Sequence, residues 1–446
     1  MDKPNIIFIL TDQQRFDTCG CYGQKLNITP NLDKMAKEGV LFQYAFTNQP
    51  VCGPARSIIQ TGKYATETLC YRNGIALPLN EKTIANYLSE SGYSTAYIGK
   101  WHLASTVLLS KENIGPKIDY TTAAIPLERR GGYKDYWLAS DLLEFTSHPY
   151  EGYLFDQNME KVDFEGYRVD CITDFALNFL EKHNQQKPFF LFLSYLEPHQ
   201  QNDFEKIVGP KGSKDKFNNY EIPGDLVNTQ GDWKDFFPDY LGCCNRIDSN
   251  LHKITDKISE VGLSEKTILI FCSDHGCHFR TRTWEYKRSC HESSIRIPLI
   301  IRGPGFMGGK IINKLVSLID LAPTILQIAE IKIPDDMRGK KLQNLVEKDD
   351  ALWKDEVFIQ ISESQVGRAI RTKRWKFAVE APKKSGFLHA KSDKYIGQYL
   401  YDLESDPHER NNLIDHPEYY EIKFELAQKL KKQMEVAGES IPNLTF

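Results

Sequence analysis

Long apolar runs are missing from this sequence of 446 residues. No run approaches the roughly 20 residues that a bilayer-spanning helix needs, and residues 1–4 lead directly into a strand pattern instead of a signal peptide. The formal net charge is only −4, so no general basic surface for nucleic acid is expected. We therefore expect no membrane and no nucleic-acid partner. The expected location is cytoplasmic, or periplasmic or secreted if a leader peptide has been removed.

Cysteine is also sparse, with ten residues in the chain. There is no Cys-x-x-Cys pair and no zinc-finger spacing, which argues against thiolate metal sites and against a disulfide framework. Most of the cysteines are therefore expected to be reduced thiols. Apolar residues make up 41% and charged residues 26% of the chain, the composition of an ordinary globular protein. The length suits one large domain with a smaller one.

Short apolar runs alternate with helical patterns through most of the chain. Residues 5–10, 189–195 and 267–272 are almost wholly apolar stretches of the kind found in strands buried on both faces. Helix-like segments follow each of them. This alternation predicts an α/β fold with a large, mainly parallel sheet sandwiched by helices. The polar and aromatic stretch 110–165 has weak periodicity, so we expect long loops there.

The pattern changes near Val357. Strand-like runs at 368–372, 375–379 and 398–401 occur without helices between them, and a final helical pattern follows. This predicts a smaller C-terminal α+β domain with an antiparallel sheet and a terminal helix. The polar run at 347–350 interrupts the apolar pattern, so we place the domains at 1–345 and 346–446.

The segment around Cys52 reads as a loop that enters a helix. Gly53 loosens the turn, Pro54 suits a first helical position and Gly62 suits the end. Cys52 would then lie just ahead of the helix, where free N–H groups favour an anion, and Arg56 could reach the same place. From this segment alone, a buried structural thiol is an equally good interpretation.

Polar clusters follow four of the predicted strands. Their members are Asp12 with Gln13, Lys100 with His102, His199, and Asp274 with His275. In an open parallel sheet the carboxyl ends of the strands share one edge, where ligands bind. Each cluster alone is better explained as a turn, a cap or a surface charge. Their joint occurrence favours one common site, which Cys52 and Arg56 would join through the helix N-terminus.

The spacing of Cys52, Pro54 and Arg56 resembles the Cys-x-Pro-x-Arg signature of type I sulfatases in the alkaline-phosphatase superfamily. In that family a maturase oxidises the cysteine to formylglycine, whose hydrated gem-diol is the nucleophile. The Gly-Lys-Trp-His run that ends at His102, the Pro-His pair that ends at His199, and the stretches 296–305 and 400–407 are also similar to sulfatase sequence. The resemblance implies an alkaline-phosphatase-like fold and a formylglycine-generating maturase as partner.

The resemblance also implies a metal site. Its ligands would be Asp12, Gln13, residue 52, Asp274 and His275. The family more often has a second aspartate in place of Gln13, and asparagine often replaces the histidine. Three oxygen donors and one imidazole suit Ca²⁺, and Mg²⁺ or Mn²⁺ stay possible.

Catalytic roles follow from the same resemblance. Arg56, Lys100 and Lys287 would hold the sulfate through charge-assisted hydrogen bonds. His199, with Lys287, would protonate the leaving oxygen, and His102 would take a proton from the sulfated diol.

The substrate is predicted from a cation-rich stretch. Its members are His278, Arg280, Arg282, Arg288 and His291. They could contact a sulfated or carboxylated sugar, but solvated charges paired with Glu285 and Glu292 are an equally good interpretation. We expect a sulfatase that acts on a sulfate monoester, on a carbohydrate.

Two alternatives stay open at this point. One is a phosphonate monoester hydrolase or phosphodiesterase of the same superfamily, which can share the modified cysteine and the metal pairs. The spacing of Lys100 and His102 favours sulfate, because those relatives resemble a different, uncharged motif there. The other alternative is a catalytically silent sulfatase-like binding protein, against which an intact Cys52 argues.

Overall fold

The computed structural model describes residues 3–107, 116–183, 186–348 and 352–446. Within these ranges the chain forms seventeen strands and eleven α-helices. The strands are β1 (Asn5–Asp12), β2 (Val40–Phe46), β3 (Ser94–Lys100), β4 (Tyr136–Ser140), β5 (Ser147–His148), β6 (Glu151–Asp156), β7 (Lys161–Glu165), β8 (Phe189–Pro198), β9 (Thr267–Ser273), β10 (Arg296–Ile297), β11 (Leu299–Arg302), β12 (Lys310–Ser317), β13 (Glu356–Ile361), β14 (Gly367–Thr372), β15 (Trp375–Glu380), β16 (Lys394–Asp402) and β17 (Asn443–Thr445). The helices are α1 (Pro30–Glu38), α2 (Cys52–Thr61), α3 (Ile84–Glu90), α4 (Leu143–Thr146), α5 (Arg168–Lys182), α6 (Ser213–Lys216), α7 (Trp233–Glu260), α8 (Glu292–Ile295), α9 (Leu321–Ile328), α10 (Gln343–Glu347) and α11 (Tyr420–Val436).

A large sheet of twelve strands forms the first domain, in the order β10-β2-β11-β9-β1-β8-β3-β4-β6-β5, with β12 beside β2 and β7 beside β6. The central strands β9, β1, β8, β3 and β4 are parallel. On the two flanks, β11 pairs with β9 and β6 pairs with β4 in antiparallel orientation. The α/β prediction is confirmed. The sheet is mixed, with parallel pairs at its centre and antiparallel pairs on both flanks.

Both faces of this sheet are covered. Along β1, Ile6, Phe8 and Leu10 contribute to one buried cluster, and Ile7 and Ile9 contribute to the other. The first cluster includes residues of α2, α3 and α9, and the second includes residues of α1, α5 and α7. Because alternate side chains of a strand point to opposite faces, a strand buried on both sides needs a continuous apolar run. No described helix combines the length and the apolar character that a membrane span requires.

The prediction of long loops over residues 110–165 is wrong for the second half of this stretch, which forms strands. Four strands, β4 to β7, lie between Tyr136 and Glu165 and extend the sheet on one flank. These strands are short, and they are stabilised by pairing with their neighbours more than by an apolar pattern of their own. Residues 108–115 lie outside the described residues.

The C-terminal sheet has the order β13-β14-β15-β16-β17, with antiparallel pairing from β13 to β16 and a parallel β17 at the edge. One face packs with Leu426 and Leu430 of α11, and the other packs with Phe46 and Leu315 of the first domain. The predicted antiparallel sheet and terminal helix are therefore confirmed. The boundary at 345/346 stays a prediction, and residues 349 and 350 of the polar run lie outside the described residues.

Candidate active site

Four neighbouring strands deliver polar side chains to one edge of the large sheet. β1 ends at Asp12 and β3 at Lys100, His199 follows β8, and Asp274 follows β9. These strands lie side by side in the order β9-β1-β8-β3 and run in the same direction. The four side chains therefore meet at the carboxyl edge, as the sequence predicts.

Helix α2 brings Cys52 to the same edge. The helix begins at Cys52 itself, two residues earlier than Pro54 suggested, and it ends at Gly62 with φ 67°. Gly53 N–H donates to Asn73 Oδ1 at 2.9 Å, which holds the first turn. Cys52 is 1% exposed. The nucleophile candidate thus lies in the first turn of a ten-residue helix, where the backbone dipole favours negative charge.

Three different groups surround the sulfur of Cys52. Its Sγ lies 3.3 Å from Asp12 Oδ1, 3.3 Å from His275 Nε2 and 2.9 Å from Lys287 Nζ. A carboxylate, an imidazole and an ammonium group therefore share the space around one side chain. An oxygen atom at this position would face both a cation and candidate metal ligands.

Asp12, Cys52, Asp274 and His275 form a cluster that could hold a metal ion, with ligand atoms within 4.8 Å of one another. His275 Nδ1 donates to the carbonyl of Gly276 at 2.9 Å, which leaves the Nε2 lone pair for a metal. Gln13 N–H donates to Asp274 Oδ1 at 3.1 Å, and Gln13 Oε1 is buried with no hydrogen-bond partner among the described residues. This set of oxygen and imidazole donors fits a divalent cation.

The pKa values of the two carboxyl groups in this cluster are shifted in opposite directions. Burial favours the neutral acid at Asp12, but Lys100, His199 and Lys287 outweigh it and hold the pKa of Asp12 well below its usual value. Burial and the charge of Asp12 raise the pKa of Asp274 to about 7. Since both carboxyl groups are fully buried, a positive ion between them would relieve this competition.

Arg56 links the site to three strands. Its Nη1 donates to the carbonyl of Lys100 at 2.7 Å and to Ser194 Oγ at 2.7 Å, and its Nη2 donates to Asp12 Oδ2 at 3.3 Å. Arg56 Nε lies 3.3 Å from Asp274 Oδ2. A guanidinium with partners on β1, β3 and β8 fixes the relative position of the strand ends.

Lys100 has a second partner that sequence reasoning missed. Its Nζ lies 2.9 Å from Asp12 Oδ2 and 3.1 Å from Glu144 Oε1. Glu144 belongs to the four-residue helix α4, in the stretch where the sequence predicts long loops. It matches no motif, so no signal in the sequence points to it.

The two candidate proton-transfer histidines have different environments. His102 has φ 61°, and its Nδ1 has no hydrogen-bond partner in the part of the chain that the structure describes. His199 Nδ1 faces the carbonyl of Gln200 at 2.7 Å, so its Nε2 is the nitrogen left for exchange. Burial lowers the pKa of both imidazoles. The positive charge of Lys100 lowers the pKa of His102 further, and that of Lys287 lowers the pKa of His199 further. A neutral imidazole suits the base role of His102.

The cation-rich stretch is largely engaged with other parts of the protein. His278 Nε2 faces the carbonyl of Lys287 at 2.9 Å, and His291 Nε2 lies 3.2 Å from the hydroxyl of Tyr401. Of the three arginines in the stretch, Arg280 lies 3.6 Å from Asp232, Arg282 donates to the carbonyl of His408 at 2.9 Å, and Arg288 lies 3.1 Å from Glu285. Their role in substrate binding stays a prediction, and these contacts give each a structural partner.

Comparison with known families agrees with this arrangement. The profile of the family named Sulfatase matches residues 4–331. This chain belongs to the sulfatase family. A second profile, N-sulphoglucosamine sulphohydrolase, C-terminal, matches residues 281–436 of the sulfatase.

Individual relatives span the whole chain. An ulvan-active sulfatase of Formosa agariphila is 30% identical over 100% of this chain and 83% of its own length. An N-acetylglucosamine-6-O-sulfatase of Bacteroides thetaiotaomicron is 26% identical over 99% of this chain and 88% of its own. A crystallised protein in complex with its substrate D-glucosamine-2-N,6-O-disulfate has a TM-score of 0.78 at 23% identity, covering 99% of each chain, which supports the fold.

Family membership makes this sulfatase a sulfuric ester hydrolase. The family implies a metal ion and a formylglycine at the position of Cys52. The cluster of Asp12, Cys52, Asp274 and His275 fits the metal. Arg56 and Lys100 contact the carboxylates of this cluster, and Lys287 contacts its sulfur.

Proposed function

We propose that this sulfatase hydrolyses a sulfate monoester on a carbohydrate, with formylglycine derived from Cys52 as nucleophile and Ca²⁺ as the metal. The observation that carries the proposal is the position of Cys52 Sγ, 2.9 Å from Lys287 Nζ and 3.3 Å from both Asp12 and His275. A sulfate group needs cations on its oxygens, and a nucleophile beside it needs help to ionise. Lys287 places a cation beside this side chain, and Asp12 and His275 are candidate ligands of a metal ion that would favour its ionised form.

The choice of a sugar ester is supported by the relatives. One is named an ulvan-active sulfatase and another an N-acetylglucosamine-6-O-sulfatase. The protein of similar fold was solved with a sulfated glucosamine.

The residues of the site divide the work as follows. Lys100, Lys287 and Arg56 neutralise the sulfate oxygens and hold residue 52. A bound metal ion would act as a Lewis acid on a sulfate oxygen and favour the ionised hydroxyl of residue 52. Asp12, Gln13, Asp274 and His275 would hold that ion.

Two proton transfers complete the reaction. One gem-diol oxygen of residue 52 forms a bond to sulfur while the bond from sulfur to the leaving alcohol oxygen breaks. Burial lowers the pKa of His199, and the negative charge of a bound sulfate ester offsets this by favouring the protonated imidazole. His199, together with the Lys287 ammonium, then gives the leaving oxygen its proton. His102 then removes the proton of the second hydroxyl, the carbon–oxygen bond to sulfate breaks with its electrons leaving on sulfate, and the aldehyde reforms. Water rehydrates the aldehyde.

The choice of Ca²⁺ follows from the ligand types. Two carboxylates and a glutamine carbonyl are hard oxygen donors, with one imidazole beside them. The purified protein should therefore contain calcium by elemental analysis. Chelation with EGTA should abolish sulfate release, and Ca²⁺ should restore it. Recovery with Mg²⁺ or Mn²⁺ but not with Ca²⁺ would contradict this assignment.

The substrate is tested with a panel of sulfated mono- and disaccharides, scored by sulfate release. The protein is co-expressed with a formylglycine-generating enzyme, and the Cys52→Ala variant is the control. We expect turnover by the matured protein and none by the variant, which should still bind substrate. On the same preparation, an aryl sulfate is compared with a phosphate diester, and a strong preference for the diester would overturn the sulfatase assignment.

Conversion of Cys52 can be observed directly. The tryptic peptide that ends at Arg56 loses mass when cysteine becomes formylglycine, so mass spectrometry measures the converted fraction. Turnover should rise in proportion to that fraction. Full activity of a preparation that carries only plain cysteine would contradict the proposed nucleophile.

A further inference from the structure

A groove of about 880 Å³ opens beside the active site. It lies between α4, the β5–β6–β7 strands and the turn after β8, and we call it the hairpin groove. The ionisable residues that line it are Glu144, His148, Glu151, Asp163, Glu165 and Asp203. Its size is that of a typical small-molecule site.

The topology places the hairpin groove at the same edge of the sheet as Cys52. β4 runs parallel to β3, and its last residue Ser140 pairs with Lys100. β6 returns antiparallel to β4, with Phe155 opposite Ala139. The beginning of β6 therefore lies beyond the carboxyl end of β4. The end of β7 lies there too, because Glu165 pairs with Glu151.

Glu144 connects the hairpin groove to the active site. Its Oε1 lies 3.1 Å from Lys100 Nζ, and Lys100 Nζ lies 2.9 Å from Asp12 Oδ2. Glu144 is only 7% exposed, and its Oε2 has no hydrogen-bond partner among the residues that the structure describes. Gln201 Nε2 donates to the Glu144 carbonyl at 3.0 Å and to Asp203 Oδ1 at 2.9 Å, which links α4 to the turn after β8. A buried carboxylate oxygen with unused acceptor capacity is costly unless a donor arrives.

The lining of the groove is acidic and partly aromatic. Five of its residues are carboxylates, and His148 is paired with Asp203 at 2.7 Å. The ammonium of Lys161 lies nearby, 4.0 Å from the centroid of the Tyr153 ring. Phe145, at the rim, is 54% exposed. Aromatic faces pack against sugar rings, and carboxylates accept hydrogen bonds from hydroxyl or amino groups while repelling another carboxylate.

We propose that the hairpin groove binds the sugar attached to the sulfated residue, and that it selects a neutral or amino sugar over a uronic acid. The proposal rests on the proposed function, because it names the neighbour of the sulfated sugar in that same site. The unused oxygen of Glu144 accepts a hydrogen bond from this neighbouring sugar, and the outer carboxylates exclude an anionic one.

The test is a binding measurement that needs no turnover. Calorimetry on the Cys52→Ala protein compares a disaccharide of 6-O-sulfated N-acetylglucosamine and glucuronic acid with the same disaccharide after carboxyl reduction to glucose. The expected result is about tenfold tighter binding of the carboxyl-reduced form, since like charges at a binding surface oppose association. Equal affinities, tighter binding of the uronate form, or no binding of either would overturn the proposal.

A charge-removal variant locates the effect. In the same background, Glu151→Gln, Asp163→Asn and Glu165→Gln together should bring the affinity ratio of the two disaccharides close to one. The matched control removes three exposed carboxylates of α11 (Glu421→Gln, Glu425→Gln and Glu435→Gln), and it should keep the ratio. An unchanged ratio in the groove variant, or an equal change in the control, would overturn the assignment. The proposed function fails by a different result, the absence of sulfate release by the matured wild type.

Discussion

Lys287 Nζ lies 2.9 Å from Cys52 Sγ, although 235 residues separate the two in the chain. Lys287 comes from the loop after β9, and Cys52 begins α2. Both side chains are almost fully buried. Burial lowers the pKa of Lys287, but Cys52 and Asp12 outweigh it, so its pKa is raised and the ammonium form persists. A fixed positive charge at the nucleophile is what cleavage of an anionic ester needs.

Replacing Lys287 by methionine should therefore lower kcat/KM for sulfate ester hydrolysis by roughly 10²- to 10³-fold, the usual loss for one charge-stabilising donor. Steady-state kinetics on matured protein measures this. Lys332→Met, at an exposed position, is the matched control. A Lys287→Met variant that keeps most of the wild-type rate would contradict the role of this ammonium.

Glu144 should act as a positioning residue for Lys100. Its carboxylate holds the Lys100 ammonium, which is fully buried, so Glu144→Ala should lower kcat roughly 10- to 100-fold, as loss of an orienting partner does at metal sites. Glu144→Gln keeps a hydrogen-bond acceptor and should recover part of the loss. The readouts are kcat and KM measured separately, with metal content unchanged. Equal kcat values for the alanine and glutamine variants would argue against positioning.

Gly99 should tolerate no side chain. It has φ +105°, and a Cβ there would lie 1.9 Å from the carbonyl oxygen of Ser194 on β8. Gly99→Ala should destabilise the protein by about 3 kcal/mol or more, from backbone strain and forced displacement of a core strand. Gly92→Ala is the control, since Gly92 has φ +92° with nothing within 4 Å. It should lose only about 1 kcal/mol. Chemical denaturation compares them, and equal losses would contradict the steric argument.

The stability contributed by the ion pairs of Glu292 with Arg371 and Lys376, which join the two domains, should depend on pH. Burial raises the pKa of Glu292, but Arg371 and Lys376 outweigh it and hold that pKa well below the usual value of 4.5. The ionised carboxylate therefore stabilises the fold above pH 4.5, and this contribution is lost as the pH falls toward the lower folded-state pKa. Glu292→Gln should cost about 2 kcal/mol near neutral pH, the range for charged hydrogen bonds.

Denaturation of wild type and Glu292→Gln across a pH series measures this effect. The difference in stability should shrink below pH 4.5, where the wild-type contribution fades. Glu421→Gln, at an exposed position of α11, should show no such difference. A difference that stays constant as the pH falls would contradict the linkage.

The sequence predicted the central strands well because their signal is strong. Residues 6–10 are apolar without interruption, and burial on both faces of β1 is the reason. The strands β4 to β7 were missed, although the alternation in β7 (Lys161–Glu165) is visible in retrospect. Short strands on the flank of a sheet depend on partners that lie far away in the sequence.

The sequence predicted individual residues of the candidate site, but it did not predict all of the contacts between them. The positions of Asp12 and Asp274 at strand ends follow from local patterns. The contact of Glu144 with Lys100 does not, because helix α4 has four residues and no motif. The burial of His278 beside Lys287 and of His291 beside Tyr401 of β16 could not be read from charge composition either, since composition does not report which cations find partners.

The sequence by itself determined the strand and helix alternation, the Cys52 segment and the polar residue after each central strand, because apolar periodicity and strand-end chemistry are local properties. Only the tertiary structure decided the direct 2.9 Å contact of Lys287 with Cys52, the contact of Glu144 with Lys100, and the acidic groove that adjoins them. Those contacts join residues that are distant in the chain. Their geometry depends on how the strands order and pack, which no local pattern encodes.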